Sequence, residues 1–245
     1  MADPFYRGVV FTFRGVFKGL GLQLDVVGAE NIPRAGGAVL AINHTSYLDF
    51  ALGGIPADMN GRRLVRFMAK DGIFKHPVGG PLMRGMHHIP VDRDAGSASF
   101  REAVNVLKSG EIVGVFPEAT MSRSFEIKEL KNGAVRMARA ANVPLIPMII
   151  FGGHRMLSYG VKDFSRGKPI CITVGAEIPV PKGVDPDVTN AILQERLAEL
   201  LDETIARYPG KEPGAWWLPA RLGGSAPTPE DALAIEARRR ESKPE

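Results

Sequence analysis

The sequence predicts an α/β fold: a single domain with a mixed, mostly parallel central sheet of about seven strands flanked by helices, behind an N-terminal amphipathic helix. Two patterns predict it. Seven short apolar runs, several of them unbroken and rich in Val and Ile as strands buried on both faces require, recur along the chain. Between many of these runs, apolar residues return at helical spacing. The chain's 245 residues, 44% of them hydrophobic, suffice for one large core and not for a second full domain.

Residues 4–20 open the chain with a helical division of charge. At about 100° per residue, Arg7, Arg14 and Lys18 fall near one line, while Phe5, Val9, Phe13, Val16 and Leu20 lie opposite. This helix either packs its apolar face on the domain or lies in a bilayer interface, and Phe11 on the basic side favours the second. The strand-like runs are LDVVGAE, GAVLAIN, RLVRFMA, HHIPVD, EIVGVFP, PLIPMIIFG and ICITVGA. Phe100, Ala103, Val104 and Leu107 mark a helix that follows Ser97 or Ser99 and stops at Gly110. Leu130, Ala134, Met137 and Ala141 mark another. Leu193, Leu197, Leu200, Leu201, Ile205 and Tyr208 mark a long amphipathic one that ends at Pro209 and Gly210.

These signals divide the chain into a membrane-associating helix over residues 1–20, a main domain over 21–210, and a tail over 211–245. The tail begins rich in Gly and Pro and reads as irregular chain over the surface. Thr228 then looks like an N-cap, with Pro229 first in a helix, Asp231 completing a capping box and Arg238 to Arg240 in the last turn. Trp216 and Trp217 are either a plug on the core or an interfacial anchor.

A net charge of +4 and a pI near 9.3 suit anionic partners. The basic residues are scattered and only 7% of residues are aromatic, so no nucleic-acid groove is indicated. The single cysteine, Cys171, excludes an intrachain disulfide or a cysteine metal cluster and reads as an inert buried thiol. No run approaches the roughly 18 apolar residues of a membrane span, and no signal peptide is evident. The expected location is peripheral, on the cytoplasmic face of the cell membrane.

His44 and Asp49, in AINHTSYLDF, bear on chemistry most directly. His44 follows an apolar strand whose end should lie at a sheet edge, where open α/β sheets bind ligands. A five-residue offset separates side chains by about 140° on a regular helix. The two side chains therefore meet only if His44 sits in the turn and Asp49 in the first helical turn, reaching back to orient the imidazole. The alternative is a plain capping box of Ser46 and Asp49 with His44 as a solvated turn residue. Glu118, Ala119, Thr120, Ser122 and Arg123 follow another buried strand in FPEATMSR, a set suited to polyol and phosphate recognition, or else an ordinary strand exit. Arg93, flanked by Asp92 and Asp94, is either a binding residue or a surface ion-pair partner.

Taken in order, NHTSYLD, GMHHIPVDR, FPEATMS and VPLIP resemble the four blocks of the glycerophospholipid acyltransferase family, the group that includes 1-acylglycerol-3-phosphate acyltransferases. The motifs span residues 43–147, and the order of strands and helices resembles the family's as far as Tyr208. The resemblance implies transfer of a fatty acyl group from an acyl-CoA or acyl-carrier-protein thioester to the free hydroxyl of 1-acylglycerol 3-phosphate, giving phosphatidic acid. It implies His44 as general base, Asp49 as its orienter, Arg93 and Lys131 as phosphate ligands, and Glu118 in contact with the glycerol hydroxyl. No cofactor and no metal are expected. With no Gly-x-Ser-x-Gly elbow in the sequence, direct transfer without an acyl-enzyme is the simpler route. Backbone N–H groups after His44 are candidates for the oxyanion.

The third block departs from the family pattern. Ala119 and Met121 stand where the family has Gly and Arg, and Arg123 is the favoured substitute for the phosphate-binding arginine. Acyl-length choice is expected from a tunnel formed among Met68, Phe74, Met83, Met86 and the N-terminal helix. Two other readings are a different acceptor, such as glycerol 3-phosphate or the 2-acyl isomer, and a non-catalytic lipid-surface module. Metal-dependent hydrolysis through His44, Asp49 and His87 or His88 is weaker. Adjacent histidines on a strand point to opposite faces, and the histidines show no recurrent ligand spacing.

Overall fold

The computed structural model describes residues 3–92 and 96–241. All seven predicted runs form one sheet, in the order β1 (Gln23–Val27), β9 (Pro169–Val174), β6 (Leu145–Phe151), β2 (Ala38–Ile42), β5 (Ile112–Val115), β3 (Val65–Lys70) and β4 (Ile89–Val91). Every pairing is parallel except β6 with β9. The sheet is therefore mixed and mostly parallel. A separate hairpin, β7 (Leu157–Ser158) with β8 (Val161–Lys162), was not legible in the sequence, because two-residue strands carry no alternation to detect.

Alternation along the strands divides the core into two layers. From β2, Val39 and Ala41 face α6 (Gly96–Lys108), α7 (Gly133–Ala141) and α8 (Pro186–Arg207), in a layer that includes Leu107, Met137, Leu197 and Leu201. Ala38, Leu40 and Ile42 face the opposite layer, with Phe17 of α1 (Pro4–Gly19) and Leu52 of α2 (Asp49–Gly53). Leu130, expected inside a helix, is buried in the segment before α7. Cys171 is buried on β9, and burial pushes its thiol up to about 11. That leaves it protonated and inert.

The N-terminal helix is seated differently from the expectation. Its buried residues are Tyr6 and Phe17, with Val9, Val10 and Phe13 half-buried, while Phe5 and Val16 are exposed. The packed face is thus rotated by roughly 50° from the purely apolar line. Polar anchors account for the rotation. Asp3 caps the helix by accepting the Tyr6 N–H at 3.0 Å and pairs with buried Arg66 at 2.9 Å. The Tyr6 hydroxyl donates to the Val65 carbonyl at 2.8 Å, and Arg66 also reaches Glu111 at 2.6 Å.

Between Tyr6 and Phe17 the helix does not close on the domain. It roofs a largely apolar cavity of about 470 Å³ over α2, α3 (Ile55–Met59) and α5 (Gly79–Gly85). Met83, Met86 and α1 line that cavity as the tunnel expectation had it. Met68 and Phe74 do not: Met68 packs on the α6–α8 side, and Phe74 joins a small cluster with Tyr6, Met83 and Met86.

The tail contributes to the core more than a surface strap would. Trp217 and Leu218 are buried with Phe151 and Tyr208, whereas Trp216 stays half-exposed against Phe125. His154 is fully buried. Its Nε2 lies 3.0 Å from the Trp217 carbonyl and so carries the proton, and burial pushes its pKa down to about 3. Helix α9 (Pro229–Glu241) starts as expected, with the Thr228 hydroxyl taking the Asp231 N–H at 3.1 Å.

Candidate active site

β2 and β5 are parallel neighbours, with Ala41 opposite Val115, so their carboxyl ends deliver residues 43–49 and 116–123 to one edge of the sheet. Asn43 extends the ladder with its side chain, donating to the Ile150 carbonyl at 3.1 Å and accepting the Ile150 N–H at 2.7 Å. The chain then turns. His44 Nδ1 lies 2.9 Å from Asp49 Oδ2, and the same oxygen accepts the N–H groups of Thr45 and Ser46, each at 2.7 Å.

Dyad and capped turn are therefore one arrangement. Half of the capping box forms, from the Ser46 N–H to Asp49, while the Ser46 hydroxyl accepts the Leu48 N–H and donates to Leu157. Asp49 is fully buried, and the contact to Nδ1 fixes the tautomer with its proton on that nitrogen. The other nitrogen, Nε2, is left unprotonated, with a lone pair that can accept a proton. The ring is stacked on Phe116 at 4.3 Å, and Phe116 on Phe67 at 6.0 Å. His44 itself is half-buried.

The expectation that backbone N–H groups after His44 serve an oxyanion does not hold for this turn. The N–H groups of Thr45 and Ser46 go to Asp49, that of Tyr47 to the Leu157 carbonyl, that of Leu48 to the Ser46 hydroxyl and that of Asp49 to the Ser46 carbonyl. All are committed to building the turn.

Glu118 also departs from its expected place. It is 5% exposed; Oε1 accepts the His44 N–H at 2.8 Å and Oε2 accepts the Lys128 N–H at 3.1 Å. It braces the dyad from behind instead of facing a glycerol hydroxyl. Burial pushes its carboxyl up to about 8, against the two N–H groups and Lys128, which favour the charged form. Ser122 closes the same clasp, donating its N–H to the His44 carbonyl at 2.7 Å.

The remaining predicted residues are spread around this clasp. Ser122 is buried, with its hydroxyl 3.1 Å from that of Ser124. Thr120 accepts the Lys128 ammonium at 2.7 Å. The Arg123 guanidinium lies 3.8 Å over the Tyr159 ring, with its Nε buried and lacking a hydrogen-bond partner. Lys131 is exposed, its backbone N–H tied to the Pro117 carbonyl. Met121 is buried. Arg93 lies outside the described residues.

Lys128 was not singled out from the sequence. Its side-chain partners are Thr120 and, 108 residues away, Glu236. Of the paired histidines, His88 is buried with Nδ1 accepting the Phe67 N–H at 3.1 Å, and burial lowers its pKa to about 4. His87 is exposed. Among the described residues, no three His, Cys, Asp or Glu side chains gather as a metal site.

A family model described as "Acyltransferase" matches residues 23–151, which carry His44, Asp49 and Glu118. The chain belongs to the acyltransferase family. Among its relatives is the 1-acyl-sn-glycerol-3-phosphate acyltransferase of Bacillus subtilis, 31% identical over 199 residues, covering 78% of this chain and 92% of that protein. The enzyme of the same name from Limnanthes douglasii is 31% identical over 160 residues, covering 63% of this chain and 53% of the plant protein. The chain thus spans about half the length of that plant relative. The crystal structure of the 1-acyl-sn-glycerophosphate acyltransferase PlsC from Thermotoga maritima shares the fold, with a TM-score of 0.68 at 22% identity over 83% of this chain and 81% of that one.

Among the described residues of this acyltransferase, five other than glycine have a positive φ, and Ala119 in the third block is one of them. Ala119 has a φ of 61°, in the left-handed region that glycine occupies at little cost. Replacing Ala119 with Gly should stabilise the protein by roughly 0.5–1 kcal/mol, the relief of strain exceeding the added freedom of the unfolded chain. Urea unfolding of A119G and wild type checks this; a lower midpoint for A119G would mean that the methyl group packs favourably.

Proposed function

We propose that this acyltransferase moves a fatty acyl group from an acyl-CoA or acyl-carrier-protein thioester to the free hydroxyl of 1-acylglycerol 3-phosphate, giving phosphatidic acid. The reading is carried by the His44–Asp49 contact at the carboxyl edge of the sheet, in a family whose relatives bear that activity in their names. His44 Nε2 takes the acceptor's hydroxyl proton as the oxygen attacks the thioester carbonyl. Collapse of the tetrahedral intermediate forms the ester and breaks the C–S bond. The proton held on His44 passes to the departing thiolate, so no acyl-enzyme is needed. Asp49 stabilises the imidazolium that forms between these steps.

Membrane contact is part of the same reading. No helix among the described residues is long and apolar enough to cross a membrane. Phe11 is 79% exposed beside the cavity-lining Val10, and Val78 is 75% exposed beside the cavity-lining Gly79. Arg14 and Lys18 border the same cavity. An apolar fringe with cations around an apolar cavity suits an anionic lipid surface from which an acyl chain enters. The cavity is thus our candidate for the acyl chain, and Arg123 and Lys131 remain candidates for the phosphate.

His44→Ala should lower transfer of radiolabelled acyl groups to lysophosphatidate by about 10²–10⁴-fold, with an unchanged circular dichroism spectrum. Wild-type transfer by the folded variant would remove His44 from the reaction. Phe11→Asp combined with Val78→Asp should weaken flotation with anionic vesicles by about tenfold or more while transfer to a short-chain soluble acceptor persists. Undiminished flotation would assign the membrane contact to another face.

A further inference from the structure

Lys128 occupies a position in the clasp that the predicted site does not account for. Its backbone N–H is held by Glu118, the carboxylate that also holds the backbone of His44, and its ammonium is held by Thr120 in the same loop. Two hydrogen bonds therefore tie this residue, one by its main chain and one by its ammonium, to the loop that braces His44. Met121, in the middle of the loop, is buried and offers no polar group. The other side-chain partner of Lys128 is Glu236, 2.7 Å away on α9, and both side chains are largely shielded from water.

We propose that Lys128, with the Thr120 hydroxyl beside it, binds the phosphate of the acceptor, and that Glu236 occupies this cation until the acceptor displaces it. The proposal rests on the reading of the acceptor as a glycerophosphate. An ammonium with a neighbouring hydroxyl is a donor set that suits a phosphate oxygen. A carboxylate already seated on that set marks where an anion is favoured.

The element carrying the carboxylate is lightly held. Among the described residues of α9 whose burial is defined, only Ala232 is buried, and Ile235 and Glu236 are half-buried. Three residues beyond Glu236, on the same face of the helix, Arg239 approaches the Tyr159 ring at 5.6 Å; Arg123 approaches that ring at 3.8 Å. A shift of α9 would therefore uncover little apolar surface, and because it carries Arg239 away with Glu236 it would leave Lys128 and Arg123 as the cations near the vacated place.

A simple ion pair that pins the tail would behave differently, and the sign of the effect separates the two. The affinity of a water-soluble short-chain 1-acylglycerol 3-phosphate, measured by calorimetry on the full chain, should weaken about tenfold in Lys128→Met and recover most of the loss in Lys128→Arg. It should tighten severalfold in Glu236→Gln, where the competing anion is gone. The acceptor KM for transfer should move in the same directions, with the KM for the thioester unchanged. Phosphate-free 1-acylglycerol should bind all the proteins alike.

If Lys128→Met and Glu236→Gln shift affinity in the same direction, the pair is structural and the proposal is overturned. An unchanged affinity in Lys128→Met overturns it as well, and active transfer in that variant leaves the acyltransferase reading standing. A wild type that neither binds nor acylates the phosphate-bearing acceptor sinks both.

Discussion

The site depends on one buried carboxylate. Glu118 takes the His44 N–H with one oxygen and the Lys128 N–H with the other, joining the ends of two adjacent strands into a single clasp. Burying a carboxyl group is costly unless its oxygens are satisfied, and removing either partner would strand it. The consequence is a fixed backbone at His44. Asp49 then gathers three donors on one oxygen and sets the ring, so that the imidazole is held by its main chain, by its Nδ1 and by Phe116 beneath it. Preorganisation of this kind is what lets a general base act without reordering at each turnover.

Legibility in the sequence followed the physics of each element. The seven strands of the sheet were legible because strands buried on both faces are written as unbroken Val- and Ile-rich runs. Helices α2, α3, α4 (Asp71–Phe74) and α5, each of seven residues or fewer, were not, since a periodic signal needs about 11 residues to register. The face of α1 was misplaced because an apolar line cannot reveal that Tyr6, Asp3 and Arg66 would anchor the helix by polar contacts.

Within the site, the His44–Asp49 contact was readable from a five-residue offset across a turn. The role of Glu118 was not, because sequence shows that a carboxylate ends a strand but not whether it points outward to a ligand or inward to the main chain. The turn after His44 carried a similar ambiguity. Its N–H groups looked available for an oxyanion, and only the hydrogen-bond pattern shows that Asp49, Ser46 and Leu157 use them. The Lys128–Glu236 pair spans 108 residues and joins the family domain to a tail without family motifs, so no local pattern could have announced it. Ala119 is the converse case: a departure from the family's glycine whose cost appears as a φ of 61°.

The proposed function divides recognition between the cavity and the clasp. On the proposed reading the apolar space under α1 takes the acyl chain and the loop from Glu118 to Lys128 the charged head; Phe50 and Ala51 line the cavity immediately after Asp49. The reacting hydroxyl would then lie between them, near the free nitrogen of His44.

The central claim, that Glu118 acts on the backbone of His44 and not on the acceptor, is tested most directly by the kinetics of Glu118→Gln. The kcat should fall by about tenfold or more while the acceptor KM stays within about twofold, because the base is misplaced and no binding contact is lost. A raised acceptor KM with kcat preserved would contradict it and put the carboxylate in contact with the acceptor.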